Sequence, residues 1–298
     1  MRFTTPTGLL CGLLSAAVAN AKCAANSKAI FLFKDVMQSN TTALKTYFNE
    51  LLIFRVGVLE SGDLWYYATG DAAEEVDVEL VVDGEYVGGD AIAQQVRGYK
   101  EGDTIVDRVE VSILSYGGTF ESIHNLMDTN GTGPDSILYK NWKALKDAWD
   151  LDGLNDDDEG NYIAEKTIPF AQMMGEIGYK YSIAPYTNIP FWAEITGALS
   201  ESNPGLLDRV YLQVYDGGAA NTPVEWSEAL DMKIVPMEWV TNDAKPQYGT
   251  TPEECREQFE RWVETGTMGG AGYWNEYDIE RMGLSYDEYG TVLSDIFG

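Results

Sequence analysis

Leu151-Asp152-Gly153-Leu154-Asn155-Asp156-Asp157-Asp158-Glu159 opens as a short strand-like run and closes as a block of acids. Strand periodicity sends Asn155, Asp157 and Glu159 to one face and Leu154, Asp156 and Asp158 to the other. Helical patterns flank it, over about 136–149 and 162–177, so residues 151–157 read as a strand between two helices. The same alternation continues downstream. Runs at 181–186, 210–215, 233–239 and 270–274 read as strands, with helices near Ala193, near Trp226 and over 253–263 between them.

Upstream, 29–33 reads as a strand, 42–52 as a helix, 54–59 as a second strand and 109–114 as a third, with a short helix at 91–99 before it. Residues 63–87 alternate in short runs around Val82-Asp83-Gly84-Glu85, which predicts a β-hairpin inserted in an early loop. Strand and helix in turn predict parallel β with helical crossovers. About eight strands, with no GxGxxG after the first, favour a closed (β/α)8 barrel over a nucleotide-binding open sheet. With no Pro/Ser-rich linker, residues 22–298 read as one barrel domain.

In such a barrel one strand face is interior, and catalysis occurs at the C-terminal strand ends. Asp157 and Glu159 would meet there. Partial burial and a neighbouring carboxylate raise the proton affinity of Glu159, as a general acid requires. Taken alone, the motif is equally compatible with a solvated acidic loop or a calcium loop.

The stretch also resembles the DGxDxDxE signature of family 18 glycosidases, and its Asp157-Asp158-Glu159 ending resembles the endo-β-N-acetylglucosaminidase branch. Ser115-Tyr116-Gly117-Gly118 is similar to the SxGG motif of the preceding strand. Gln213-Val214-Tyr215-Asp216 resembles the QxYN/D motif of the sixth strand. Residues 269–274, Gly-Gly-Ala-Gly-Tyr-Trp, resemble the GG…W motif of the eighth. The resemblance spans essentially the whole chain after residue 21. It implies hydrolysis of β-linked N-acetylglucosamine, in an N-glycan core or in chitin, with the substrate's acetamido oxygen as nucleophile. Glu159 would be the acid, Asp157 the partner of the acetamido group and Tyr215 its hydroxyl donor. Gln213, Asn155, Asp216, Gly117, Gly118 and Trp274 would line the substrate site, with no cofactor and no metal. A non-catalytic lectin or inhibitor is a further possibility, although such relatives typically lack the acid. Two positions depart from the pattern: Asn155 stands where an aspartate is usual, and Asp156 where an apolar residue is usual.

Tyr186 and Trp239, at the ends of their strands, are further candidates for substrate contact, while Trp192, Trp226 and Trp262 read as core. His124, the only histidine, has no GxSxG partner and reads as a loop residue, which argues against a Ser-His-Asp hydrolase. Met1-Arg2, the apolar stretch 8–18 and Ala19-Asn20-Ala21 predict a cleaved secretory signal over 1–21 and an extracellular product. Cys11 would leave with it, and Cys23 and Cys255 would pair in an oxidising compartment. Asn40 and Asn130 open N-glycosylation sequons. A net charge of -28 disfavours nucleic acid and anionic membranes but leaves a neutral glycan unaffected. The chain reads as a soluble monomer.

Overall fold

A computed structural model describes residues 26–298 except Gly117. The signal segment, Cys23 and Gly117 lie outside the described residues. Elements in chain order are β1 (Ser27–Leu32), α1 (Thr41–Tyr47), β2 (Glu50–Val58), β3 (Leu64–Thr69), β4 (Glu75–Val82), β5 (Glu85–Tyr86) and α2 (Asp90–Gly98). Next come β6 (Arg108–Ile113), α3 (Thr119–Asn130), α4 (Ile137–Trp149), β7 (Gly153–Asp156), α5 (Ala164–Ile177), β8 (Lys180–Ile183) and α6 (Ile189–Ser202). The chain ends through β9 (Leu207–Gln213), α7 (Pro223–Leu230), β10 (Val235–Val240), β11 (Gly249–Thr250), α8 (Pro252–Val263), β12 (Gly270–Trp274), α9 (Glu276–Arg281) and α10 (Tyr286–Phe297).

Eight strands, β1, β2, β6, β7, β8, β9, β10 and β12, pair in parallel and in that order, and β12 pairs back onto β1. The sheet is a closed (β/α)8 barrel. Closure depends on glycine at the seam. A Cβ on Gly272 would sit 2.5 Å from the Ala29 carbonyl oxygen and 2.7 Å from Met237 Cε. The glycine-rich run before Trp274 is therefore where backbone meets backbone.

The insertion after the second barrel strand is antiparallel, β2 to β3 to β4 to β5. Its Asp83-Gly84 turn has positive φ at both residues (48° and 86°), the geometry a two-residue hairpin needs. Asn141 on α4 clamps the insertion, accepting from Gly84 N (2.6 Å) and donating to the Gly62 carbonyl (2.7 Å).

Two sequence readings need correction. The helical pattern over 42–52 stops at Tyr47, and β2 begins at Glu50 rather than Phe54. Leu51 and Leu52 belong to a strand buried on both faces, whose unbroken hydrophobicity mimics a helix continuing. His124 lies in α3, which the sequence reading left out, and is buried against Phe120 with ring centroids 6.5 Å apart. Burial lowers its pKa. It is a packed helical residue, not a loop residue.

Inside the barrel, Tyr211 of β9 donates to Glu50 (3.0 Å) and Glu110 (2.9 Å), on strands that do not neighbour it, so these bonds cross the interior. Arg108 pairs with Glu110 and, through two nitrogens at 2.9 Å, with Asp208; Arg209 pairs with Glu50 at 2.9 Å. This charged floor closes the N-terminal end of the barrel. Above it Ser182 joins Glu110 to Asn155, and Asn155 Oδ1 accepts from Ser112 at 2.8 Å.

Candidate active site

Above Asn155 the chain of β7 ends and turns, and the residues it carries reach the open end of the barrel. Asp157 and Glu159 lie past the strand end at Asp156, as Tyr215 lies past Gln213 of β9. They line one cleft of about 430 Å³ with Tyr186, Gln213, Asp216, Trp239 and Trp274. Eight of the residues singled out from sequence thus come together, from five different barrel strands.

The two carboxyls share a clamp. Gln213 Nε2 lies 3.1 Å from Asp157 Oδ1, 3.2 Å from Glu159 Oε1 and 2.9 Å from the Ala184 carbonyl. Its two amide hydrogens serve three acceptors, so one is shared. Burial is the largest cause raising the proton affinity of Glu159; Asp216 and Asp158 add to it, while the Gln213 hydrogen bond opposes it. Asp157 is deeper and raised more, first by burial and then by Glu159, Asp156 and Asp158. Two carboxyls coupled in one buried site titrate as a pair rather than independently.

Aromatic rings complete the cavity. Tyr215 lies nearly parallel to Trp274 (24°, centroids 6.5 Å apart) and edge-on to Trp239 at 5.6 Å. Phe31, Phe33 and Phe54 surround Trp274 at 4.8 to 5.7 Å. Rings around an acid pair suit a pyranose, whose faces are apolar and whose edge carries hydroxyls. Asp278 holds the Trp239 indole, accepting from Nε1 at 2.8 Å, and is itself held by Asn275 Nδ2 at 3.2 Å.

Several residues fall elsewhere. Asn155 is fully buried one layer below, with its amide bonded to Ser112 and Ser182, and does not line the cleft. It supports the floor of the site and is not a substrate contact. Gly118 starts α3 with a left-handed backbone (φ 80°) and is also absent from the lining; Gly117 lies outside the described residues. Asp156 faces the helices, where Tyr181 donates to it at 2.6 Å, and burial pushes its pKa up to about 7. The acid in an apolar position therefore has a partner, and the strand is undistorted. Asp158 accepts from Gly160 N (2.9 Å), Asn161 N (2.7 Å) and Tyr162 N (2.8 Å), fastening the loop that follows Glu159.

Cys255 is buried on α8, its thiol 3.2 Å from Thr250 Oγ1, while Cys23 lies outside the described residues. Asn40 and Asn130 are exposed at opposite ends of α1 and α3, where Asn40 also caps its helix. Sequence reasoning missed Phe31, Phe33, Phe54, Arg55 and Asp278. The signal for the three phenylalanines was available: each sits on the inward face near the C-terminal end of a barrel strand. For Arg55 and Asp278 no such signal exists, because a bulge and a cross-element hydrogen bond place them.

No protein-family model matches the chain, and no curated protein sequence matches it. Solved structures do. A family 18 chitinase from Crocus vernus superposes with a TM-score of 0.56 at 13% identity, over 89% of this chain and 98% of that one. A class V chitinase mutant from Nicotiana tobaccum, in complex with NAG4, gives 0.57 at 11% identity over 92% and 99%. A chitinase-like agglutinin from Robinia pseudoacacia gives 0.58 at 12% identity over 91% and 100%. At such identities the likeness is one of fold: the chain has the barrel found in family 18 chitinases and in a lectin built on it.

Proposed function

We propose that the protein is a secreted, endo-acting glycoside hydrolase of the family 18 type that cleaves β-1,4-linked N-acetylglucosamine. The observation that carries this reading is the Asp157–Gln213–Glu159 clamp inside an aromatic cleft at the C-terminal end of the barrel. Glu159 gives its proton to the leaving oxygen. Asp157 orients the 2-acetamido group and stabilises the positive charge that develops on it, and Tyr215 donates to the acetamido oxygen. No side chain becomes bonded to the sugar, and two displacements at the anomeric carbon retain the β configuration.

The leading substrate is the GlcNAc-GlcNAc core of N-glycans, supported by the Asp157-Asp158-Glu159 ending. Chitin is the second reading, supported by neighbours crystallised with NAG4 and (GlcNAc)3. The agglutinin neighbour keeps a lectin in view, but Glu159 and its clamp supply the proton donor that binding alone does not need.

Incubation with a high-mannose glycoprotein and with colloidal chitin, side by side, tests the reading. Release of the glycan selects the core substrate, and soluble oligomers select chitin. Binding without cleavage of either would leave the lectin. Proton NMR early in the reaction decides the mechanism: an α-anomer as the first product overturns the substrate-assisted assignment.

A further inference from the structure

The second barrel strand carries a residue that the catalytic proposal does not use. Register between β2 and β6 slips between Phe54 and Val56, so Arg55 is the extra residue of a β-bulge. Bulges re-aim side chains beside active sites. Here the bulge lets Phe54 and Arg55 both line the cleft, where strict alternation would have turned Arg55 toward the helices.

The Arg55 guanidinium lies 5.7 Å from the ring centres of Phe33 and Phe54 and 5.1 Å from that of Tyr116. Its Nε is covered and has no hydrogen-bond partner among the described residues. Arg97, Arg108, Arg209, Arg256, Arg261 and Arg281 all donate to protein oxygens. Arg55 is the one arginine among the described residues that makes neither a hydrogen bond nor an ion pair. With 48 acidic residues in the chain, a carboxylate partner would be easy to supply. Three rings hold the ion in place instead, and its terminal nitrogens are left for something in the cleft.

We propose that Arg55 is a specificity residue of the hydrolase described above, donating to neutral acceptor oxygens, hydroxyl or acetamido, of a sugar next to the one being cleaved. The inference rests on that functional reading. Neutral oxygens are chosen over an anionic substituent because Asp157, Glu159 and Asp216 line the same cleft and the chain carries a net charge of -28. Both repel an anionic glycan.

Arg55→Met keeps the packing on the rings and removes the donors; Arg55→Lys keeps charge and loses the planar fork. Each is compared with wild type on chitotetraose or a high-mannose glycopeptide, whichever the wild type cleaves, after thermal melts confirm folding. For Arg55→Met we expect KM to rise roughly tenfold with kcat within about twofold, the signature of lost substrate binding. Lysine should recover only part of it. Inhibition by N-acetylglucosamine thiazoline, which fills only the catalytic position, should be unchanged, and the KM penalty should not shrink at high salt. An unchanged KM, a fall in kcat alone, or a penalty that salt abolishes would overturn the inference while leaving the hydrolase reading intact. A wild type that cleaves neither substrate would remove both.

Discussion

At the scale of single residues, chemistry turns on where one proton sits. Glu159→Gln keeps the acceptor for Gln213 but has no proton to give, so activity should fall about 10²–10⁴-fold with folding intact. Retention of more than about a hundredth of wild-type activity would assign the acid elsewhere. Because burial raises the Glu159 pKa, the protonated acid persists above the ordinary glutamate value of 4.5, and activity should be lost as pH rises through the raised value. Asp157 has the opposite value for stability and for function. Its folded pKa lies above its unfolded one, so the folded state binds the proton more tightly. Stability therefore falls as pH rises from about the ordinary aspartate value of 3.8 through the raised one. Asp157→Asn should then raise the melting temperature at pH 7, with the gain vanishing near pH 3, while abolishing hydrolysis. A melting temperature lowered at pH 7 would mean that the buried charge is better compensated than its surroundings indicate.

At the scale of elements, the loop after β7 fastens the segment that carries Glu159. Asp158 satisfies three successive backbone N–H groups of that loop, at residues 160–162. A buried carboxylate that fastens backbone in this way resists replacement, since its loss leaves donors unpaired. Asp158→Ala should destabilise the protein by about 1–3 kcal/mol and lower kcat more than KM, because Glu159 loses its fixed position. Denaturant unfolding and steady-state kinetics check both halves; a stability loss with normal kcat would make the loop irrelevant to catalysis. The hairpin insertion obeys the same logic at lower stakes. Its Asp83-Gly84 turn fixes the strand pairing, and Asn141 ties it to α4.

For the whole molecule, the two ends of the barrel are built from different physics. At the open end the cleft carboxyls Asp157 and Glu159 have no ion-pair partner among the described residues, and Asp216 pairs with the half-exposed Lys245. The closed end has carboxylates matched to Arg108 and Arg209. Unpaired acids store reactivity; paired ones fix the barrel's bore. Arg108→Met would strand Glu110 without its cation and leave Asp208 only the longer contact to Arg209 at 3.6 Å, and removing one partner of a buried pair costs about 3–5 kcal/mol. We expect a loss of that size in chemical denaturation, with the active-site residues untouched. A loss under 1 kcal/mol would show that water reaches the barrel floor.

The strand-helix alternation made the barrel legible without coordinates, because apolar runs of five or six residues between amphipathic segments pack in few ways. The acid pair was legible too, since period-two geometry puts Asp157 and Glu159 on one face and the strand end puts them at the opening. What the chain could not disclose is anything set by contact across the barrel. Asn155 shares a face with Asp157, yet Ser112 and Ser182 capture its amide below the cleft. Asp156 looks misplaced until Tyr181, on the next strand, gives it a donor. Residues 50–52 read as helix until pairing with β1 and β6 claims them for a strand. Arg55 should point outward by alternation, and only the bulge in register turns it to the cleft. Local periodicity is written in a single segment; register, bulges and hydrogen-bond partners depend on two, and the second is known only once the barrel closes.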